Sequence, residues 1–134
     1  MTARLAPSMT ADTHFFWDAL QTHRLLIQRC AACATLRHPP RPMCPRCRSL
    51  EWDTIESSGL GTVYSFVMPH HPPLPGFDIP YVVALVELAE GTRLVTNIVD
   101  VDPSDVTIGM AVAVRYEAFD GGLVLPLFAP VEAQ

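Results

Sequence analysis

The plainest chemistry in this chain belongs to four cysteines in two pairs, Cys30-Ala31-Ala32-Cys33 and Cys44-Pro45-Arg46-Cys47, with ten residues between them. A C-x-x-C turn aims both sulfurs at one point, and two facing turns complete a tetrahedron of thiolates about 2.3 Å from a metal. The gap is shorter than the common ribbon spacing of roughly 15–20 residues, yet residues 34–43 leave room for a strand out and a strand back. Disulfides need an oxidising compartment, and Met1-Thr2-Ala3-Arg4 lacks the apolar core of a secretory signal. A thioredoxin-type pair would open a helix in a βαβ unit, which Pro39, Pro40, Pro42 and Pro45 forbid. The pattern predicts structural zinc on Cys30, Cys33, Cys44 and Cys47, with iron in the same cage as the alternative. His38 lies close enough in sequence to replace a cysteine, but four thiolates already close the shell.

The remaining candidates are weaker. His70 and His71 could form an acid–base or metal pair, but adjacent residues alone have no fixed geometry, so they are read as shaping a surface loop. Ser57, Ser58 and Ser65 have no histidine near them in sequence. Gly59-Leu60-Gly61 precedes a strand rather than following one, which argues against a dinucleotide loop. The two glycines are expected at a bulge or bend of a barrel corner.

These residues need positioning elements. Residues 1–12 read as a poorly ordered lead-in, or an arm that orders on a partner. Thr13 is expected to cap a short helix reaching about Gln21, its oxygen accepting a backbone N–H. Phe15, Phe16, Trp17 and Leu20 make that helix aromatic; so short a segment is unstable alone, and its rings must dock on the chain's own core or on a partner. Residues 24–29 form a strand into the first cysteine turn, and residues 35–38 a return strand. Period-2 alternation then predicts strands at 51–57, 61–68, 81–88, 93–99, 111–117 and 123–128. In the third of these Val82, Ala84, Val86 and Leu88 should face a barrel interior, with Tyr81, Val83 and Leu85 on an outward face that is still apolar. Glu90-Gly91 and Asp120-Gly121-Gly122 mark hairpin turns. Five or six short antiparallel strands suit an OB-type Greek-key barrel. Residues 69–80 carry five prolines, a stiff apolar loop with Leu74 and Phe77 near its centre.

Composition narrows the function. Of 134 residues, 17% are charged and 49% hydrophobic, against a usual charged share of roughly a quarter. The surplus implies a well-filled core or a surface covered by another protein. No apolar run approaches the ~20 residues that span a bilayer, so no membrane association and a reduced, cytoplasmic setting are expected. Residues 1–50 hold seven arginines and two acids, whereas residues 51–134 hold two arginines and twelve acids. Such an acidic C-terminal part is a poor match for a phosphate backbone.

Several of these residues also recur, in the same order, in a known family. They are Phe16-Trp17-Asp18, the two cysteine pairs with Pro39-Pro40-Arg41 between them, Ser58 to Phe66, Pro80 to Leu88, Glu90-Gly91 and Ile108-Gly109-Met110. The chain resembles, from about residue 13 to residue 130, the zinc-ribbon-plus-OB-fold proteins of acyl-CoA metabolism, long catalogued as a domain of unknown function. Ala34 stands where that family usually has glycine. The resemblance implies a mainly β fold: an N-terminal arm and helix (1–23), a rubredoxin-like zinc ribbon (24–50) and an OB-fold Greek-key barrel (51–134). It also implies a non-catalytic subunit of a hetero-oligomer. The partner would be a thiolase-like protein acting on acyl-CoA thioesters by condensation, acyl transfer or retro-aldol cleavage, as in steroid side-chain degradation. The small subunit would buttress that enzyme and help shape its CoA or acyl channel. Partner or acyl-CoA contacts are then expected at Phe15, Phe16, Trp17, His70, His71, Leu74, Phe77 and Tyr81. The competing classes are a nucleic-acid-binding ribbon/OB module and an independent small hydrolase or carrier using the histidine loop.

Overall fold

The computed structural model describes residues 4, 6–70 and 81–131. One helix, α1 (His14–Gln21), precedes eight strands: β1 (Leu26–Cys30), β2 (Leu36–Arg37), β3 (Trp52–Glu56), β4 (Leu60–Val67), β5 (Val82–Leu88), β6 (Arg93–Ile98), β7 (Ala111–Phe119) and β8 (Leu123–Pro130). The strands form a three-stranded sheet in the order β2-β1-β3 and a closed barrel in the order β4-β5-β6-β8-β7.

The alternation read in residues 81–88 is realised: Val82, Ala84, Val86 and Leu88 are all buried in the barrel. Glu90-Gly91 turns between β5 and β6, with Gly91 N–H donating to the Leu88 carbonyl at 2.8 Å. Gly59 and Gly61 serve the expected corner. A Cβ on Gly59, at φ +80°, would sit 2.4 Å from Val114 Cγ1, and one on Gly61 would sit 2.6 Å from the Glu87 carbonyl. Only glycine lets the chain pass so close to β5 and β7. A bulge between Val63 and Ser65 adds curvature to β4.

Three expectations change. The strand expected at 51–57 forms as β3, but it pairs antiparallel with β1 (Ile27 opposite Ile55), so it belongs to the ribbon's sheet and the barrel has five strands. The barrel is not wholly antiparallel, because β6 and β8 meet in parallel at Ile98 and Phe128. Closing a five-stranded Greek key requires a pair whose connection crosses over, and that pair runs the same way. Thr13 stands at the helix start without capping it. Its hydroxyl instead accepts the Thr10 N–H at 3.0 Å, within a turn where Thr10 O accepts from His14 N–H at 2.9 Å.

A single apolar cluster runs through both parts. Phe16 and Leu20 of α1 and Leu25 and Ile27 at β1 pack with Val63, Val86, Val112 and Phe128 of the barrel. Each fully buried side chain of this size contributes about 1.5–3 kcal/mol. The end of α1 is also tied down where Gln21 Nε2 donates to the Gly122 carbonyl at 2.8 Å, in the turn between β7 and β8. The helix therefore docks on its own chain.

Candidate functional site: a thiolate cage and an apolar cleft

The two cysteine turns are near copies. Cys30 O accepts from Ala34 N–H, and Cys44 O from Arg48 N–H, both at 2.9 Å; Cys30 N–H donates to Thr35 O, and Cys44 N–H to Ser49 O, also at 2.9 Å. Each turn bends back at a residue in the left-handed region, Ala34 at φ 65° and Arg48 at φ 66°. The result gathers all four sulfurs within 4.8 Å of one another. Cys30 Sγ lies 3.5 Å from Cys47 Sγ, and Cys33 Sγ 3.7 Å from Cys44 Sγ. Sulfurs at zinc–thiolate bond length on a tetrahedron are about 3.8 Å apart, so the cage fits the ion. With protons alone the four compete. Thr35, through its hydroxyl and then its backbone, draws the Cys33 thiol down to about 6. Cys47 is pushed up to about 11, because bonds with the other three cysteines and burial outweigh the Ser49 N–H that favours its thiolate. A central dication resolves this competition, since it favours the thiolate at every corner.

The turn between the two pairs is held by groups that the spacing did not reveal. Arg37 is 5% exposed, and its Nε donates to Gln28 Oε1 (3.0 Å) while Nη2 donates to the Arg41 carbonyl (2.9 Å). Gln28 completes the knot: its Nε2 donates to the same carbonyl, and its Oε1 accepts from Arg41 N–H, each at 2.9 Å. This fixes residues 38–41 and turns His38 away from the cage, its ring 5.2 Å from that of Phe16. Burial holds the His38 imidazole below its ordinary pKa.

His38, Pro39 and Pro40 form one wall of a cleft of about 440 Å³. Phe16 and Trp17 supply the second wall, and Tyr81, Val83, Val95 and Leu125 on the outside of the barrel supply the floor. Arg4 closes one end, its Nη1 donating to Asn97 Oδ1 at 2.6 Å and its guanidinium 4.7 Å above the Phe119 ring. Within residues 1–12, read as a loose lead-in or a partner-ordered arm, Arg4 makes these contacts with this chain's own barrel, while residues 8–12 are exposed.

Of the expected contact residues, the structure brings Phe16, Trp17 and Tyr81 together in this cleft. Phe15 points elsewhere, its ring 4.9 Å from that of Trp52 on β3. His70 is exposed and its Nδ1–H donates to the Met68 carbonyl at 2.8 Å, a local loop bond. His71, Leu74 and Phe77 lie outside the described residues. Arg4, Gln28, Arg37 and Asn97 carried no sequence signal. Ser57 donates to Glu90 Oε1 at 2.8 Å, so its hydroxyl braces a turn.

Comparison with known proteins agrees with this geometry. Residues 17–53 match the family model described as "ChsH2, rubredoxin-like zinc ribbon domain", and residues 54–117 match "ChsH2, C-terminal OB-fold domain". The chain is 53% identical, over 98% of its length, to a probable enoyl-CoA hydratase alpha subunit of Thermomonospora curvata. It is 46% identical, over 87% of its length, to the 3-oxo-4,17-pregnadiene-20-carboxyl-CoA hydratase alpha subunit of Mycobacterium tuberculosis. It spans only 41% and 37% of those two relatives. A DUF35 domain-containing scaffold protein of Methanocaldococcus jannaschii is 45% identical over 72% of this chain and 70% of its own. Among solved structures, a chain of the Ltp2-ChsH2(DUF35) aldolase superposes with TM-score 0.90 at 54% identity, covering 93% of this chain and 98% of that one. The two cysteine knuckles, the five-stranded barrel and these matches place the chain in the DUF35 family, with a ChsH2-type zinc ribbon and OB fold.

Proposed function

We propose that this protein is a zinc-bearing, non-catalytic subunit that supports a thiolase-like enzyme acting on acyl-CoA thioesters. The observation that carries the reading is the likeness, over nearly the whole of both chains, to a component of an aldolase named for two proteins, Ltp2 and ChsH2(DUF35). Zinc on Cys30, Cys33, Cys44 and Cys47 would be structural: it fixes the ribbon, and the ribbon fixes α1 and the turn at residues 38–41. The outward barrel face also supports a docking role, with Val95 72%, Val67 61% and Tyr64 47% exposed. On the barrel, the face an OB fold would offer to a nucleic acid has few cations to give: Arg93 pairs with Glu87 at 3.0 Å and stacks on Tyr64, and Arg115 pairs with Asp100.

A second reading rests on the relatives named as hydratase alpha subunits. Under it the supported enzyme is an enoyl-CoA hydratase. Co-expression with a tagged thiolase-like protein and, separately, with a hydratase subunit tests both. The expected result is a stable complex with the thiolase-like protein that has acyl-CoA lyase or acyltransferase activity. A complex with the hydratase subunit alone would select the second reading, and a monodisperse monomer that binds neither would overturn both.

A further inference from the structure

We propose that Arg37 is the internal counter-charge of the metal–thiolate cage, and that it sets how tightly the four cysteines hold a divalent ion. The role requires a metal on Cys30, Cys33, Cys44 and Cys47, and it does not depend on which partner or substrate the chain serves.

Arg37 is 5% exposed, and its bonds go to neutral acceptors, Gln28 Oε1 and the Arg41 carbonyl. Its Nη1 is buried without a hydrogen-bond partner among the described residues. Arginine keeps its charge when buried, and a buried charge is costly unless an anion lies near it. No carboxylate stands in the sequence between Asp18 and Glu51. Of the acids that follow, Glu51, Asp53 and Glu56 are exposed, and Asp53 and Glu56 pair with Arg29 and Arg24 at 2.8 and 3.0 Å. Among the described residues, no carboxylate pairs with Arg37.

The cage supplies the missing anion. Gln28 stands opposite Arg37 and Arg29 opposite Leu36. The ladder then reaches Cys30 and Thr35, where Cys30 N–H donates to Thr35 O at 2.9 Å. Side chains alternate along a strand, so Gln28, Cys30, Thr35 and Arg37 share one face. Contacts agree: Thr35 Oγ1 lies 3.1 Å from Cys33 Sγ, and Arg37 Nε lies 3.0 Å from Gln28 Oε1. Arg37 is therefore one pleat repeat, roughly 6.5–7 Å along the strand, from a residue that touches the cage. The carbonyl that it holds belongs to Arg41, three residues before Cys44. Four thiolates around one dication leave two negative charges. In a buried site, opposite charges at such a range attract strongly enough to change affinity by about tenfold or more. Arg41, Arg46 and Arg48 are exposed, so water and salt screen them from the same role.

The test compares the full chain with its Arg37→Met, Arg37→Lys and Gln28→Glu variants. Methionine keeps much of the volume and loses the charge. Lysine keeps the charge and loses the planar fork that grips the Arg41 carbonyl. Gln28→Glu leaves Arg37 in place and cancels its charge locally. Zinc affinity is read by competition with a chromogenic chelator. Each chain is also loaded with iron, and the Fe(III)/Fe(II) midpoint is measured by titration with dithionite. One-electron reduction takes the cage from one negative charge to two, so a nearby cation favours the reduced form. We expect Arg37→Met and Gln28→Glu to hold zinc at least about tenfold more weakly. Their iron midpoints should fall by about 59 mV or more, the one-electron equivalent of tenfold. Arg37→Lys should stay within about threefold of wild type in zinc affinity and keep most of the potential. If Arg37 served only the geometry of the turn, lysine would lose as much as methionine, since it breaks the same fork. An Arg37→Met chain that takes up no metal, beside an Arg37→Lys chain that does, would support the role as a weakened affinity does. Unchanged affinity and potential in Arg37→Met, or a loss in Arg37→Lys as large as in Arg37→Met, would overturn it. Wild type without stoichiometric zinc or iron would overturn the metal site itself, and the counter-charge with it.

Discussion

Ala34 and Arg48 occupy equivalent places, one residue past the second cysteine of each pair, and both have left-handed backbone. An L-residue pays about 1–2 kcal/mol for that conformation, and glycine does not. Glycine returns part of this by its greater freedom when unfolded. Ala34→Gly should therefore stabilise the protein by about 0.5–1 kcal/mol, seen as a raised melting temperature at constant zinc. A lowered midpoint would show that the knuckle tolerates alanine without strain. Glu90 makes a different single-residue argument. Burial works against its carboxylate, but the N–H of Ser58 (2.9 Å) and the hydroxyl of Ser57 (2.8 Å) outweigh it and hold the pKa below the ordinary glutamate value. A depressed folded pKa contributes stability above the unfolded pKa and loses it as pH falls through the folded one. Glu90→Gln should flatten the acid limb of the stability–pH curve, compared by urea titration at neutral pH and at pH values below the ordinary glutamate pKa. An unchanged acid limb would mean that the carboxylate does not titrate with folding.

At the scale of elements, what was legible in the sequence was local. The cage could be read because each C-x-x-C turn carries its geometry within five residues, and β5 because its pleat shows as alternation from Val82 to Leu88. What could not be read depends on distant partners. Residues 52–56 alternate like any strand, and only pairing with β1 sends them to the ribbon rather than the barrel. Arg4 meets Asn97 across 93 positions, and the Gln28–Arg37 knot needs the turn at Arg41 to close over it. The cleft was therefore invisible even though Phe16, Trp17 and Tyr81 on its walls were singled out. The ribbon and helix also share one core with the barrel, so losing the metal should reach further than the knuckles. Structural zinc sites carry about 10 kcal/mol of folding free energy in small peptides. Cys44→Ser should abolish bound zinc, release residues 30–50 to fast hydrogen exchange and lower the barrel's midpoint while leaving its strands folded. Stoichiometric metal in that variant, or a barrel midpoint unchanged from wild type, would contradict this coupling.

Across the whole molecule, apolar surface remains on the barrel's outside after the core is filled. Val67, Tyr64 and Val95 lie on β4 and β6, flanking Leu85 of β5 in the same outward face, and Ile108 on the connection to β7 is 71% exposed. Burial of such surface stabilises by about 25 cal/mol per Å² before association costs are subtracted. Among the described residues, no helix is long and apolar enough to cross a membrane, and a protein surface is the occupant that the subunit reading requires. Val67→Asp separates folding from assembly, because this residue is already in water in the single chain. Its stability should change by no more than about 0.5 kcal/mol. In the complex the new carboxylate would be buried without a partner, which costs about 3–5 kcal/mol, so affinity for the thiolase-like protein should fall at least a hundredfold. Titration of labelled wild-type and Val67→Asp chains with that protein reads the difference directly. Equal affinities, with both chains folded and zinc-loaded, would move the docking surface off this face of the barrel.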